Sequence, residues 1–106
     1  MPPRLDRGDY ALLLLGLLGE REMYGYELVA ALRDRSAAVI DLPEGTVYPA
    51  LRRLEREGLV AGRWDEVAGG PRRRYYHLSV AGERALADGR AAWRRFAAAA
   101  DGVLGQ

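Results

Sequence analysis

Three absences bound this 106-residue chain before any residue is read for what it does. There is no cysteine, so neither a disulfide framework nor a thiolate metal site is available. No apolar run approaches the ~20 residues of a membrane span, and the N-terminus lacks the arrangement of a signal peptide. The stretch Leu12 to Leu18 is too short to span, and no cleavage site follows it. Lysine is also missing, and all 16 basic residues are arginine. Together with heavy alanine and glycine usage this fits a GC-rich genome, so the missing lysine excludes nothing about partners. The expectation is a soluble, cytoplasmic single domain, long enough for one core and too short for two.

Catalytic constellations are equally scarce. The single His77 has no cysteine partner, and its place after Tyr75-Tyr76 on a strand makes it a structural strand residue rather than a catalyst or metal ligand. Glu20/Glu22 and Asp65/Glu66 are paired carboxylates on a turn and a strand, without an enclosing apolar pocket to raise a pKa. Gly69-Gly70-Pro71 precedes a strand rather than a helix, so it is no phosphate loop. No enzymatic activity, cofactor or metal is expected.

What is present is a patterned helix. In Glu44 to Val60, Pro43 stands just before the start and Gly58 where a C-terminal stop belongs. Stepping about 100° per residue puts Val47, Leu51 and Leu54 on one narrow stripe. Gly45, Pro49, Arg52 and Arg56 fall on the opposite face, flanked by Thr46, Tyr48 and Arg53. The N-terminal half of that outer face is small or hydrogen-bonding, the kind of surface that approaches base edges. The C-terminal half is guanidinium, which pairs with phosphate or guanine. Arginines on a helix face more often just keep that face in water, but the next segment favours a recognition helix. Leu59 to Val67 reads as a strand, Ala68 to Pro71 as a turn, and Arg72 to Ser79 as a second strand. Arg72, Arg73 and Arg74 sit together at the hairpin tip. Helix, hairpin and basic tip in that order are those of a winged helix-turn-helix.

Net charge is only +1, which by itself does not indicate nucleic acid. The distribution says more, because six arginines fall into the clusters Arg52/Arg53/Arg56 and Arg72/Arg73/Arg74.

Residues 1–8 read as a loosely held basic arm, with Asp9 as N-cap of a helix Tyr10 to Leu18. That helix is apolar all the way round, and such a helix must be buried on every side. A monomer of this size can hardly enclose it, so a second subunit is expected to cover part, with Leu13, Leu14 and Leu17 at the interface. Tyr24 to Asp34 is the next helix, its N-terminus open to a phosphate near Tyr24 and Tyr26. Packing alone is the alternative for both tyrosines. Ser36 to Pro43 connects to the recognition helix, with Val39, Ile40 and Leu42 in a short strand or a packed loop. Ser79 caps a last helix from Val80 to about Ala100. Its apolar seam contains Leu86, Trp93, Phe96, Ala97, Ala100 and Leu104. Gly82 and Gly89 each weaken that helix by about 1 kcal/mol relative to alanine, so it is expected to need a partner. The chain then divides into an arm (1–8), a DNA-binding unit (9–79) and a dimerisation helix (80–106).

Tyr24-Gly25-Tyr26-Glu27-Leu28, Gly45-Thr46-Val47-Tyr48-Pro49-Ala50-Leu51, Arg53-Leu54-Glu55, Gly58-Leu59-Val60 and Gly70-Pro71-Arg72-Arg73-Arg74-Tyr75-Tyr76 resemble the PadR family of bacterial transcription regulators. The likeness runs from about Gly8 to about Leu86, and the short remainder is similar to the small subfamily with one C-terminal helix. The resemblance implies a homodimeric repressor with a winged-helix DNA-binding domain, often relieved by a small aromatic or hydrophobic effector. Trp93 is similar in position to a tryptophan that stacks on planar ligands between subunits in some small members. Filling the dimer interface is its alternative role.

The residues expected at double-stranded DNA are therefore Tyr24, Tyr26, Thr46, Tyr48, Pro49, Arg52, Arg53, Arg56, Arg72, Arg73 and Arg74. Arg53 could instead form an internal ion pair. Strand alternation sends Arg72 and Arg74 one way and Arg73 the other. Two-fold symmetry predicts a palindromic operator. Architectural binding without sequence preference, RNA binding and a protein-interaction module are the competing readings of the same basic face.

Overall fold

The computed structural model describes residues 7–66 and 70–105. Most of the expected arm, and Val67, Ala68 and Gly69 of the expected hairpin, lie outside those residues. The elements are α1 (Arg7–Leu18), β1 (Met23–Tyr24), α2 (Gly25–Arg35), α3 (Glu44–Arg56), β2 (Val60–Glu66), β3 (Arg72–Leu78) and α4 (Val80–Leu104). The strands form one antiparallel sheet in the order β1-β3-β2. The fold is a winged helix-turn-helix, with α2 and α3 as the helix pair and β2–β3 as the wing.

The amphipathic reading of α3 holds residue by residue. Val47, Ala50, Leu51 and Leu54 are buried, while Gly45, Pro49, Arg52 and Arg56 are exposed. Pro49 lies inside the helix. Proline has no N–H, so the Gly45 carbonyl receives no bond from it. Pro43 is the N-cap, and Gly58 turns the chain at φ 76° to start the wing. In the wing, Val60 pairs with Leu78 and Glu66 with Arg72. The register sets Trp64, Arg74 and Tyr76 on the face toward the core, and Arg63, Arg73, Tyr75 and His77 on the other.

The core is built on Leu14, Leu28, Val47, Leu51 and Leu54, all essentially inaccessible. The structure corrects the sequence reading of α1, because one subunit encloses most of this helix. α2, α3, α4 and β3 pack around it, and Leu14, Leu15, Leu17 and Leu18 are all buried. Its first turns, with Tyr10 and Ala11, and the side with Leu12, Leu13 and Gly16 stay half-covered. Asp9 is not the N-cap either, since α1 starts at Arg7 and Asp9 falls in its first turn, a position the helix dipole also favours for a carboxylate.

Tyr24 belongs to β1 rather than to α2. It pairs with Tyr75 and is the N-cap of α2, where its N–H donates to the Glu27 carboxylate at 3.1 Å. The 36–43 segment is a packed loop, with Leu42 buried and Ile40 half-buried. Ser36 holds the loop closed: its hydroxyl donates to the Leu32 carbonyl at 2.7 Å and accepts from the Ile40 N–H at 2.8 Å. Ala37 and Ala38 there adopt φ values of 52° and 66°.

Ser79 caps α4 as expected, accepting from the Gly82 N–H at 3.0 Å. α4 runs past Ala100 to Leu104 and closes on Gly105 at φ 85°. Its 25 residues span about 37 Å at 1.5 Å per residue. Of these only Gly82 and Leu86 are buried, so the second half projects from the body.

Candidate nucleic-acid interface

The outer face of α3 is held outward by its buried stripe, leaving Pro49, Arg52 and Arg56 exposed together. Thr46 and Arg53 are half-buried on one flank, and Tyr48 is half-buried on the other. Tyr48 packs under the start of α2 so closely that a Cβ on Gly25 would lie 2.4 Å from its ring. Burial pushes its phenol up from the ordinary value of 10.0, reinforced by Glu44, so it stays a neutral hydrogen-bonding group near pH 7. Tyr48 therefore sits between the recognition helix and the N-terminus of α2. Tyr26, on the first turn of α2, is 60 % exposed beside it. Tyr26 thus stands at the positive end of the α2 dipole, the end of a helix where anions bind.

The wing arginines have three different environments. Arg72 lies 4.7 Å over the Trp64 ring and 3.3 Å from the Glu66 carboxylate. Arg74 is half-buried, bonded to the Glu55 carboxylate at 2.6 Å and set over the rings of Trp64 and Tyr76. That bond raises its guanidinium above the ordinary arginine value. Arg73, on the opposite face, lies 4.8 Å over the Tyr24 ring. The expected alternation is present, and it divides the basic run. Arg74 struts β3 to the recognition helix. Arg72 and Arg73 stay exposed at the wing.

Sequence reasoning missed Trp64, 54 % exposed between two guanidiniums, and Glu55, the partner of Arg74. It also missed the Arg63 side chain, which pairs with Glu22 and lies 5.0 Å over Tyr75. Each of these depends on strand register, which a lone sequence gives only once the hairpin turn is placed.

The PadR-like transcriptional regulator family model matches residues 14–88. The chain belongs to this family. Among solved structures, a PadR-family transcriptional regulator from Eggerthella lenta is 35% identical, with 92% of this chain and 83% of that one covered at a TM-score of 0.80. A PadR-family transcription regulator from Clostridium difficile is 32% identical, covering 90% and 97% at a TM-score of 0.81. Bacillus subtilis PadR, solved in complex with operator DNA, is 24% identical, covering 74% and 44% at a TM-score of 0.69, and shares the fold.

Relative to this PadR-like core, the residues expected at a dimer seam separate into two groups. Leu14, Leu17 and Leu86 are buried inside their own subunit, which leaves them almost no surface for a partner and corrects that assignment. Trp93 and Phe96 are 56 % and 64 % exposed, with ring centroids 6.0 Å apart. Leu13, Ala97 and Ala100 are half-buried. A cavity of about 400 Å³ opens between α1, α2 and α4, with Leu12, Leu13 and Leu86 at its base and Arg90 and Trp93 on its rim. Among the described residues no helix is long and apolar enough to cross a membrane.

Proposed function

We propose that this PadR-family regulator is a sequence-specific DNA-binding protein acting in the cytoplasm as a homodimeric repressor. The observation that carries the reading is the exposed outer face of α3, with Pro49, Arg52 and Arg56 presented beside the wing. Residues 9–79 form the DNA-binding unit and 80–106 the dimerisation helix. In each subunit the N-terminal half of α3 enters a major groove. Thr46 and Pro49 lie near base edges, Arg52 meets guanine or phosphate, and Arg53 and Arg56 lie near phosphates. Tyr24, Tyr26 and Tyr48 anchor the flanking strand at the start of α2, and Arg72 and Arg73 steady the wing on the backbone. The Bacillus subtilis protein of the same fold was solved on operator DNA, which supports the reading by analogy.

The second subunit is called for by α4. A projecting helix with Trp93, Phe96, Val103 and Leu104 exposed is a large apolar surface for a monomer. Two copies joined along α4 and the open side of α1 would place two recognition helices on one face of a duplex. The operator is then palindromic, with half-sites roughly 34 Å apart. A planar aromatic or hydrophobic effector stacking on Trp93 relieves repression if it binds the spread and DNA-ready dimers with different affinity.

The test is fluorescence-anisotropy titration against the DNA upstream of the protein's own coding region, with scrambled duplex as competitor at two salt concentrations. An operator reader prefers its site by roughly 10³ or more. Equal competition by the scrambled duplex would make it an architectural binder. No binding to either duplex would leave a protein-interaction module.

A further inference from the structure

A second depression, of about 360 Å³, lies on the flank of α3 away from the wing. Thr46, Pro49, Arg53 and Arg56 of α3 line one side, and Tyr10 of α1 lines the other. Its polar lining includes the Tyr10 phenol, the Thr46 hydroxyl and the exposed Arg56 guanidinium, so it presents hydrogen-bond donors and positive charge. The Tyr10 ring is half-buried against the core, which fixes the side chain in place.

The two flanks of α3 are therefore built differently. On one, Tyr48 lies against Gly25 and Glu55 holds Arg74, so this flank meets α2 and the wing. On the other, Thr46 and Arg53 turn toward α1, and the depression lies there. A helix with its side chains is about 10–12 Å across, close to the ~12 Å width of the B-DNA major groove. A recognition helix seated in that groove consequently has one phosphate strand against each flank. The start of α2 serves one strand, and the other strand needs its own seat.

We infer that the depression between α1 and α3 is the phosphate seat for that second strand, and that Tyr10 is a DNA-positioning residue whose phenol donates to a phosphodiester oxygen beside Arg56 and Thr46. Phosphate oxygens only accept hydrogen bonds, and the lining supplies donors and positive charge. The inference rests on the DNA-binding reading above and adds α1 to the contact surface.

Ethylation interference tests it, on a duplex that the wild-type protein selects from a random-sequence pool. Wild type is expected to show blocked phosphates on both strands of each half-site. Tyr10→Phe keeps the ring and removes the hydroxyl. It should weaken binding about tenfold, in line with one hydrogen bond to a charged group. It should also erase interference on one strand only and leave the melting temperature unchanged. Arg56→Ala should erase the same cluster, and Tyr26→Ala the cluster on the opposite strand. A Tyr10→Phe protein with wild-type affinity and pattern overturns the inference while the DNA-binding reading stands. So does one that loses both clusters together with its melting temperature, since that marks a merely structural tyrosine. If wild type selects no duplex at all, the DNA-binding reading itself fails and takes this seat with it.

Discussion

A Cβ atom on Gly25 would lie 2.4 Å from the ring of Tyr48, so the glycine that opens α2 and the tyrosine of the recognition helix form a single contact. The aromatic ring fills the space a side chain would occupy, and thereby fixes how α2 and α3 meet. Gly25→Ala should destabilise the fold by about 1–3 kcal/mol through overpacking, although alanine is the better helix former. Tyr48→Ala removes the obstacle, so the double variant should lose clearly less than the sum of the single losses. Urea denaturation of the four proteins measures this. Losses that add to within about 0.5 kcal/mol would show that the two residues do not share the space.

The three glycines of α4 should respond differently to alanine, each for a reason visible in its surroundings. At Gly82 a Cβ would lie 2.0 Å from the Leu59 carbonyl oxygen, which is backbone and cannot swing aside. That same carbonyl accepts the Ser79 N–H at 3.1 Å, so it is held from both sides. Gly82→Ala should cost about 3 kcal/mol or more, outweighing the ~1 kcal/mol gained in helix propensity. At Gly89 the nearest atom is the Leu12 side-chain end at 2.7 Å, which can rotate, so the net change should stay within about 1 kcal/mol. Gly102 has nothing within 4 Å, and alanine there should stabilise by roughly 0.5–1 kcal/mol. Thermal melts of the three variants give the order, and a Gly82→Ala protein as stable as wild type would refute the close approach.

Most of this architecture could be read from periodicity and punctuation. The α3 stripe of Val47, Leu51 and Leu54, the stops at Pro43 and Gly58 and the Ser79 cap are local signals, and each is found where expected. The failures are cases where partners distant in sequence decide. Met23 and Tyr24 are too few for a period-2 pattern, and they become a strand only because Tyr75 and Tyr76 pair with them. Leu14 and Leu17 read as surplus apolar surface because α1 looks uniform around its circumference. The surrounding α2, α3 and α4 bury them without a second chain. The Arg72–Arg74 run reads as one basic tip. Its division depends on which residues β2 and α3 bring opposite, namely Trp64, Glu66 and Glu55.

That division makes Arg73 and Arg74 separable in function. Arg74 spends its charge on Glu55, with both side chains about a third exposed, so the pair should contribute roughly 1 kcal/mol rather than the larger value of a buried bridge. Arg74→Ala should lower stability by that amount and loosen the wing, with little change in the salt dependence of DNA binding. Arg73→Ala should leave stability nearly unchanged and reduce the slope of log K against log salt by about one, the signature of one lost phosphate contact. Anisotropy titrations across a salt series, with melting curves alongside, distinguish the two. Equal salt slopes for both variants would mean that the Glu55 bond opens on DNA.

Two surface ion pairs bracket the α1–β1 turn and should give the fold an acid limb. The Arg63 bond holds the Glu22 carboxyl below its ordinary value of 4.5, and the Arg35 bond does the same for Glu20. A lowered carboxylate contributes stability above its unfolded value, and the contribution is lost as pH falls through the folded one. Melting temperature should therefore hold down to about pH 5 and decline toward about pH 3, with a small amplitude because both carboxylates face water. Glu22→Gln should flatten part of that decline. A profile identical to wild type would mean that Arg63 leaves Glu22 in solution.

Ala37 and Ala38 close the turn between α2 and α3 with φ values of 52° and 66°, where an L side chain crowds its own backbone. The Ala38 N–H donates to the Arg33 carbonyl at 2.8 Å, and the Ser36 hydroxyl ties the Leu32 carbonyl to the Ile40 N–H, so the loop holds its alanines in place. Left-handed geometry costs a non-glycine residue roughly 1–2 kcal/mol, while glycine gives back about 0.4–1 kcal/mol through the greater freedom of the unfolded chain. Ala38→Gly should therefore stabilise the protein by roughly 0.5–1 kcal/mol, a rise of a few degrees in melting temperature for a chain of this size. Ala31→Gly, at a half-buried position inside α2, should do the opposite, losing about 1 kcal/mol of helix propensity together with its packing. Opposite signs for one chemical change, read from two melting curves, would establish that the helix-turn-helix corner is held under strain. A fall in both would show that the Ala38 backbone relaxes out of the left-handed region.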